Sequence, residues 1–84
     1  MKNSLILFIL FQTGLAFAQS GQLVKGNFYF DRAGYFQAIP CFERVLGSEF
    51  DSPEMQQKLA YSYNFCGEFA KAESLYKKLV AKKA

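Results

Sequence analysis

Shifted by 34 residues, this sequence lays its small and aromatic positions on one another. Gly26 meets Ala60, Tyr29 meets Tyr63, Ala38 meets Ala72 and Phe42 meets Tyr76. Tyr35 meets Phe69, Val45 meets Leu79 and Leu46 meets Val80. Plain identity at this offset is low, so the information lies in which positions agree. A small residue lets two helix backbones approach, and an aromatic residue one turn away fills the space beside them. Gly26, Tyr29, Ala38, Phe42, Ala60, Tyr63, Ala72 and Tyr76 are therefore the expected packing residues. A chain that states this specification twice is expected to form two helical hairpins in series.

Hydropathy gives the same elements. Apolar and small residues recur at helical spacing: Tyr35, Ala38, Ile39, Phe42, Val45 and Leu46 form one stripe, and Met55, Leu59, Tyr63 and Cys66 another. Further stripes run through Gly26, Tyr29 and Ala33, and through Phe69, Ala72, Leu75, Tyr76, Leu79 and Val80. The breaks fall at Ala33-Gly34, between Gly47 and Pro53, and at Cys66-Gly67. Pro53 suits a first helical turn, with Ser52 or Asp51 as its cap. The spacing predicts four helices, at about 20–33, 35–47, 53–66 and 69–82. Phe28-Tyr29-Phe30 and Tyr61-Ser62-Tyr63 are β-prone in composition, but both lie inside stripes of helical period. Pro40, inside the second helix, removes one backbone donor.

The landmarks Gly26-x-x-Tyr29 with Ala38-x-x-x-Phe42, and Ala60-x-x-Tyr63 with Ala72-x-x-x-Tyr76, resemble those of the tetratricopeptide repeat. The resemblance covers about residues 20–84 and implies an all-α fold. Its two helix-turn-helix repeats would span about 20–50 and 53–84, a fragment of an α-α superhelix. The sequence departs from the family at several slots: Gln22 and Gln56 stand at its Trp position, and Lys25 at its Leu position in the first copy. Its terminal Pro position holds Phe50 and Ala84.

Residues 1–18 read differently. Lys2 gives a positive start, Leu5 to Phe11 is an apolar run, and Ala16-Phe17-Ala18 is an A-x-A site. These are the three parts of a secretory signal peptide, with cleavage expected after Ala18. The apolar run is too short for an anchor, since a membrane span takes about 20 residues. Export to the periplasm or the outer membrane is the expectation, with residues 19–84 as the repeat domain. The run Gly34 to Leu46, shortly after such a leader, is similar to the start of exported repeat proteins of Bacteroidetes-type bacteria. In several of those, repeats precede a propeller-like region and a peptidoglycan-binding OmpA-like domain. That resemblance implies a structural alternative, in which the chain is the N-terminal segment of a larger envelope protein.

Composition narrows the function. With no histidine there is no His-dependent triad and no His-ligated zinc, and two cysteines cannot make a four-cysteine metal site. The seven acidic residues scatter without paired-carboxylate spacing, and no Gly-rich phosphate loop occurs. The expectation is a protein that is not an enzyme and takes no cofactor or metal. A net charge of +3, with basic residues concentrated only in the last helix, argues against nucleic acid. What remains is a protein- or peptide-binding module, which could also oligomerise. In a repeat stack the first helix of each pair lines a concave wall. Leu23, Asn27 and Phe30 of the first helix, with Gln57, Tyr61 and Asn64 of the third, are the candidate peptide-binding face. Their amides would bond a peptide backbone while the apolar groups cover its side chains; equally, they would pack under a neighbour. Some repeats of this family clamp a terminal carboxylate with Lys and Asn; Asn27 matches, but Leu23 stands where the Lys is needed.

The last helix mixes Lys71, Lys77, Lys78, Lys82 and Lys83 with apolar residues, which gives a third reading as a membrane-surface amphipathic peptide. Its apolar edge has no following helix in the sequence and is a candidate site for a further repeat, a subunit or a partner. Cys41 falls in an apolar packing slot and Cys66 in an exposed one, so two free thiols are expected rather than a bridge.

Overall fold

A computed structural model of the chain describes residues 18–83, all of whose regular structure is helical. The signal-peptide assignment, apart from Ala18, lies outside the described residues. Helix α1 occupies residues 18–31, α2 Tyr35–Val45, α3 Pro53–Phe65 and α4 Phe69–Lys83. Consecutive helices pack on one another, α2 on α3 and α3 on α4. Among the described residues none of the helices is long and apolar enough to cross a membrane.

The helix ends follow from local chemistry. Ser52 is the N-cap of α3, its hydroxyl accepting from the Met55 backbone N–H at 3.1 Å, with Pro53 opening the first turn. The loop before it is tied by Asp51. Its carboxylate accepts from the Gly47 N–H at 2.9 Å and from the Gln56 amide at 2.9 Å, so the buried Gln56 side chain is satisfied. Phe50, from the same loop, packs against the core.

Both tight turns share one hydrogen-bond pattern at the 34-residue offset. The Gly34 N–H donates to the Tyr29 carbonyl at 2.7 Å, and the Glu68 N–H to the Tyr63 carbonyl at 2.8 Å. Ala33 N–H donates to Phe30 O, and Gly67 N–H to Asn64 O. Both central residues are left-handed, Gly67 at φ 84° and Ala33 at φ 61°. Ala33 therefore belongs to a helix-ending turn and not to the apolar stripe of α1.

α2 runs through Pro40. The carbonyl that Pro40 leaves without its helical donor belongs to Phe36, an exposed residue of the first turn.

The core is a single cluster. Ala38, Phe42 and Val45 of α2 meet Leu59 and Ala60 of α3 and Ala72 of α4, all but Ala72 with 0% exposure. Leu23, Tyr29 and Phe30 of α1 pack against it. Gly26 of α1 lies against the Phe42 ring. A Cβ there would lie 2.6 Å from Cε1 of the Phe42 ring, so only glycine lets this helix settle on the ring.

One packing residue stands differently from expectation. Tyr76 holds the place in α4 that Phe42 holds in α2, yet it is 39% exposed. Phe42 is enclosed by α1 and by the α3 side of the core, whereas Tyr76 has described helices on one side only. For the same reason the outer members of the α4 stripe, Phe69 and Val80, are exposed.

Candidate binding groove

Of the six residues of the expected peptide-binding face, Phe30, Gln57 and Tyr61 line one cleft and Asn64 an adjoining one, while Leu23 and Asn27 line neither. Leu23 and Phe30 are half-buried against the core. The Asn27 side-chain oxygen accepts from the Lys58 ammonium at 3.0 Å, across the contact of α1 with α3. Phe30 meets Tyr61 edge-on with ring centroids 5.9 Å apart, and meets Phe42 at 6.4 Å. Leu23 and Asn27 are thus engaged inside the molecule, while Phe30 packs on the core and also borders the cleft beside Tyr61. Gln57, Tyr61 and Asn64, on the outer side of α3, are exposed.

Those three residues border a groove that α4 completes. One cleft of about 550 Å³ is lined by Gln57, Lys58 and Tyr61 of α3 and by Tyr76, Leu79 and Val80 of α4, with Phe30 and Glu54 at its margins. A second, of about 710 Å³, adjoins it through the shared Tyr76 and Val80, and takes in Asn64, Ala72 and Phe69. The lining mixes apolar groups with the amides of Gln57 and Asn64 and with four charged side chains, Glu54, Lys58, Glu73 and Lys77. Lys77 is paired with Glu73 at 3.1 Å, and the Lys58 ammonium donates to Asn27.

The groove repeats an internal surface. Gln57, Tyr61, Asn64, Ala72, Tyr76 and Leu79 stand 34 residues after Leu23, Asn27, Phe30, Ala38, Phe42 and Val45. The sequence picks out the α3 half of the groove as a binding face and the α4 half as packing residues. Joining the halves requires knowing that α4 lies beside α3 with its outer edge uncovered.

Elsewhere the polar groups serve packing. The Tyr63 hydroxyl donates to Glu43 Oε2 at 2.6 Å and links α3 to α2. Burial, then the hydrogen bond to Glu43, then the charges of Glu43 and Glu68, push its pKa well above the ordinary tyrosine value. Cys41 is buried, with its thiol 3.6 Å from the Gln37 carbonyl, Cys66 is exposed, and both are free.

Comparison with protein-family models, with curated proteins and with solved structures finds no match to this chain.

Proposed function

We propose that this chain is an exported, non-enzymatic interaction module built of two tetratricopeptide-like helix pairs, and that it holds a protein partner in the α3–α4 groove. The observation that carries the reading is the groove itself: Tyr61, Tyr76 and Val80, 48%, 39% and 67% exposed, share one concave surface. Large apolar groups gathered this way gain free energy when a partner removes them from water, at about 25 cal/mol per Å². The matched turns at a 34-residue offset support the repeat reading, and the leader-like residues 1–18 support export to the cell envelope. The basic α4 is a weaker basis for membrane binding, because its Leu75 and Leu79 are committed to the core and Lys71 and Lys77 sit beside glutamates.

The test is selection from a displayed library of random peptides against the purified protein. Enriched peptides are expected to bind the wild type and to lose binding to Tyr61→Ala. No enrichment, or binders indifferent to this change and to Val80→Glu, would overturn the reading. Amino-terminal sequencing of the protein recovered from the cell envelope tests export. A first residue of Gln19 is expected, and Met1 would refute cleavage.

A further inference from the structure

We propose, building on the groove reading above, that the occupant of the α3–α4 groove is an amphipathic helix of a partner protein, apolar at positions i, i+4 and i+8. The molecule itself displays what such a surface holds when it is covered. Leu23, Asn27, Phe30, Ala38, Phe42 and Val45 carry α3, and the groove offers their counterparts 34 residues on. Ala38, Phe42 and Val45 share a buried cluster with Met55, Leu59 and Tyr63, which are spaced at i, i+4 and i+8 along α3. The open groove continues an interface that already exists once in the fold. Helix-in-groove recognition through this spacing buries one apolar stripe and leaves the rest of the helix in water.

A second copy of this chain does not supply that helix. Stacking copies end to end would bring α1 to the groove. Gly21, Lys25 and Phe28 of α1 stand where α3 has Met55, Leu59 and Ser62. Leu59 shares the buried cluster with Ala38, Phe42 and Val45, and Leu59 and Ser62 are both 0% exposed. At those two places Lys25 would bury an ammonium and Phe28 would overfill a serine-sized space. The groove therefore calls for a helix with an aliphatic residue at the central position and a small one three residues later.

The probe is the one helix known to fit the counterpart surface. A fluorescein-labelled peptide of residues 52–66, with Cys66→Ser, is titrated with the purified protein and followed by anisotropy. Saturable binding is expected. Leu59→Lys in the peptide should weaken it on the order of tenfold or more. Val80→Glu and Tyr76→Ala in the protein should each weaken it as well, with the helical circular dichroism of the protein retained. A peptide of residues 18–32 should not bind. Absence of binding by the 52–66 peptide overturns the proposal. So does binding that Val80→Glu leaves unchanged, because the peptide is then exchanging with the resident α3. Sedimentation showing a wild-type dimer that Val80→Glu dissociates would assign the groove to a second copy and overturn it too. If displayed peptides bind the groove but stay extended, and the 52–66 peptide does not bind, the helix occupant is wrong while the interaction module stands.

Discussion

Phe42 and Tyr76 hold the same place in their two hairpins, but Phe42 is 0% exposed and Tyr76 39%. The pattern extends around them. Ile39 is 8% exposed in the first hairpin, and its counterpart in the second is the exposed, charged Glu73. Tyr35 is half-buried, and its counterpart Phe69 is 65% exposed. The first hairpin is covered by α3, whereas no described helix covers the equivalent surface of the second. Burial of a position in such a stack is set by the neighbour that arrives, and only then by the residue itself. The two hairpins therefore share backbone chemistry but should differ sharply in what a mutation costs.

The largest difference should appear at that pair. Phe42→Ala removes a ring enclosed on every side and should cost about 3–5 kcal/mol, enough to abolish a cooperative thermal transition in a domain this small. Tyr76→Ala removes a ring that water already reaches and should cost about 1 kcal/mol. Similar melting temperatures for the two variants would break the comparison. Gly26→Ala comes next. Its added Cβ, 2.6 Å from the Phe42 ring, meets a ring with nowhere to withdraw. Overpacking of about 1–3 kcal/mol outweighs the gain of about 1 kcal/mol in helix propensity. A lower urea midpoint is expected, partly restored by adding Phe42→Leu. Ala60 already carries that methyl in the second hairpin, where Tyr76 can tilt outward. A midpoint raised by Gly26→Ala would show that α1 is not seated on Phe42.

The third difference runs the other way, at the turns. Ala33 and Gly67 occupy matching left-handed positions, and only glycine adopts that conformation without steric cost. Ala33→Gly should stabilise the protein by about 0.5–1 kcal/mol, and Gly67→Ala should destabilise it by about 1 kcal/mol. Urea unfolding of the two variants checks both signs. Two shifts of the same sign would mean that the turns are not equivalent.

Which of these features were legible in the sequence depends on the range of the interaction behind them. The four helices were, because the stripes through Phe42 and Leu59 and the Ser52-Pro53 start are set within a few residues of chain. The small-aromatic pairs were, because each is repeated at a fixed offset. The exposure of Tyr76 was not, since the residue type is the same whether or not a helix covers it. The fate of Asn27 was not either. It reads as a free amide on a concave wall, and only the approach of Lys58, 31 positions later, turns it into an internal acceptor. The break at Ala33-Gly34 was legible, but not which residue turns left-handed: glycine is the usual holder of that conformation, and here Ala33 takes it in place of Gly34.

The smallest expected effect lies in the hydrogen bond by which Tyr63 joins the hairpins. Tyr63→Phe removes the 2.6 Å bond to Glu43 and should cost about 0.5–1 kcal/mol at neutral pH. Its signature is in the pH dependence. Burial and the Glu43 carboxylate raise the Tyr63 pKa in the folded state above the unfolded value of about 10. Above that pH the unfolded chain gives up a proton that the folded state keeps. The folded state then binds more protons, and stability falls as pH rises. The contribution of Tyr63 is fully present below about pH 10 and is lost as pH climbs toward the raised folded value. The two proteins differ in this hydroxyl alone, so the difference between their profiles reports on it. Urea midpoints measured across the alkaline range should fall more steeply for the wild type than for Tyr63→Phe. Parallel slopes would mean that the hydroxyl is solvated in both states, and that α2 and α3 are joined by apolar packing alone.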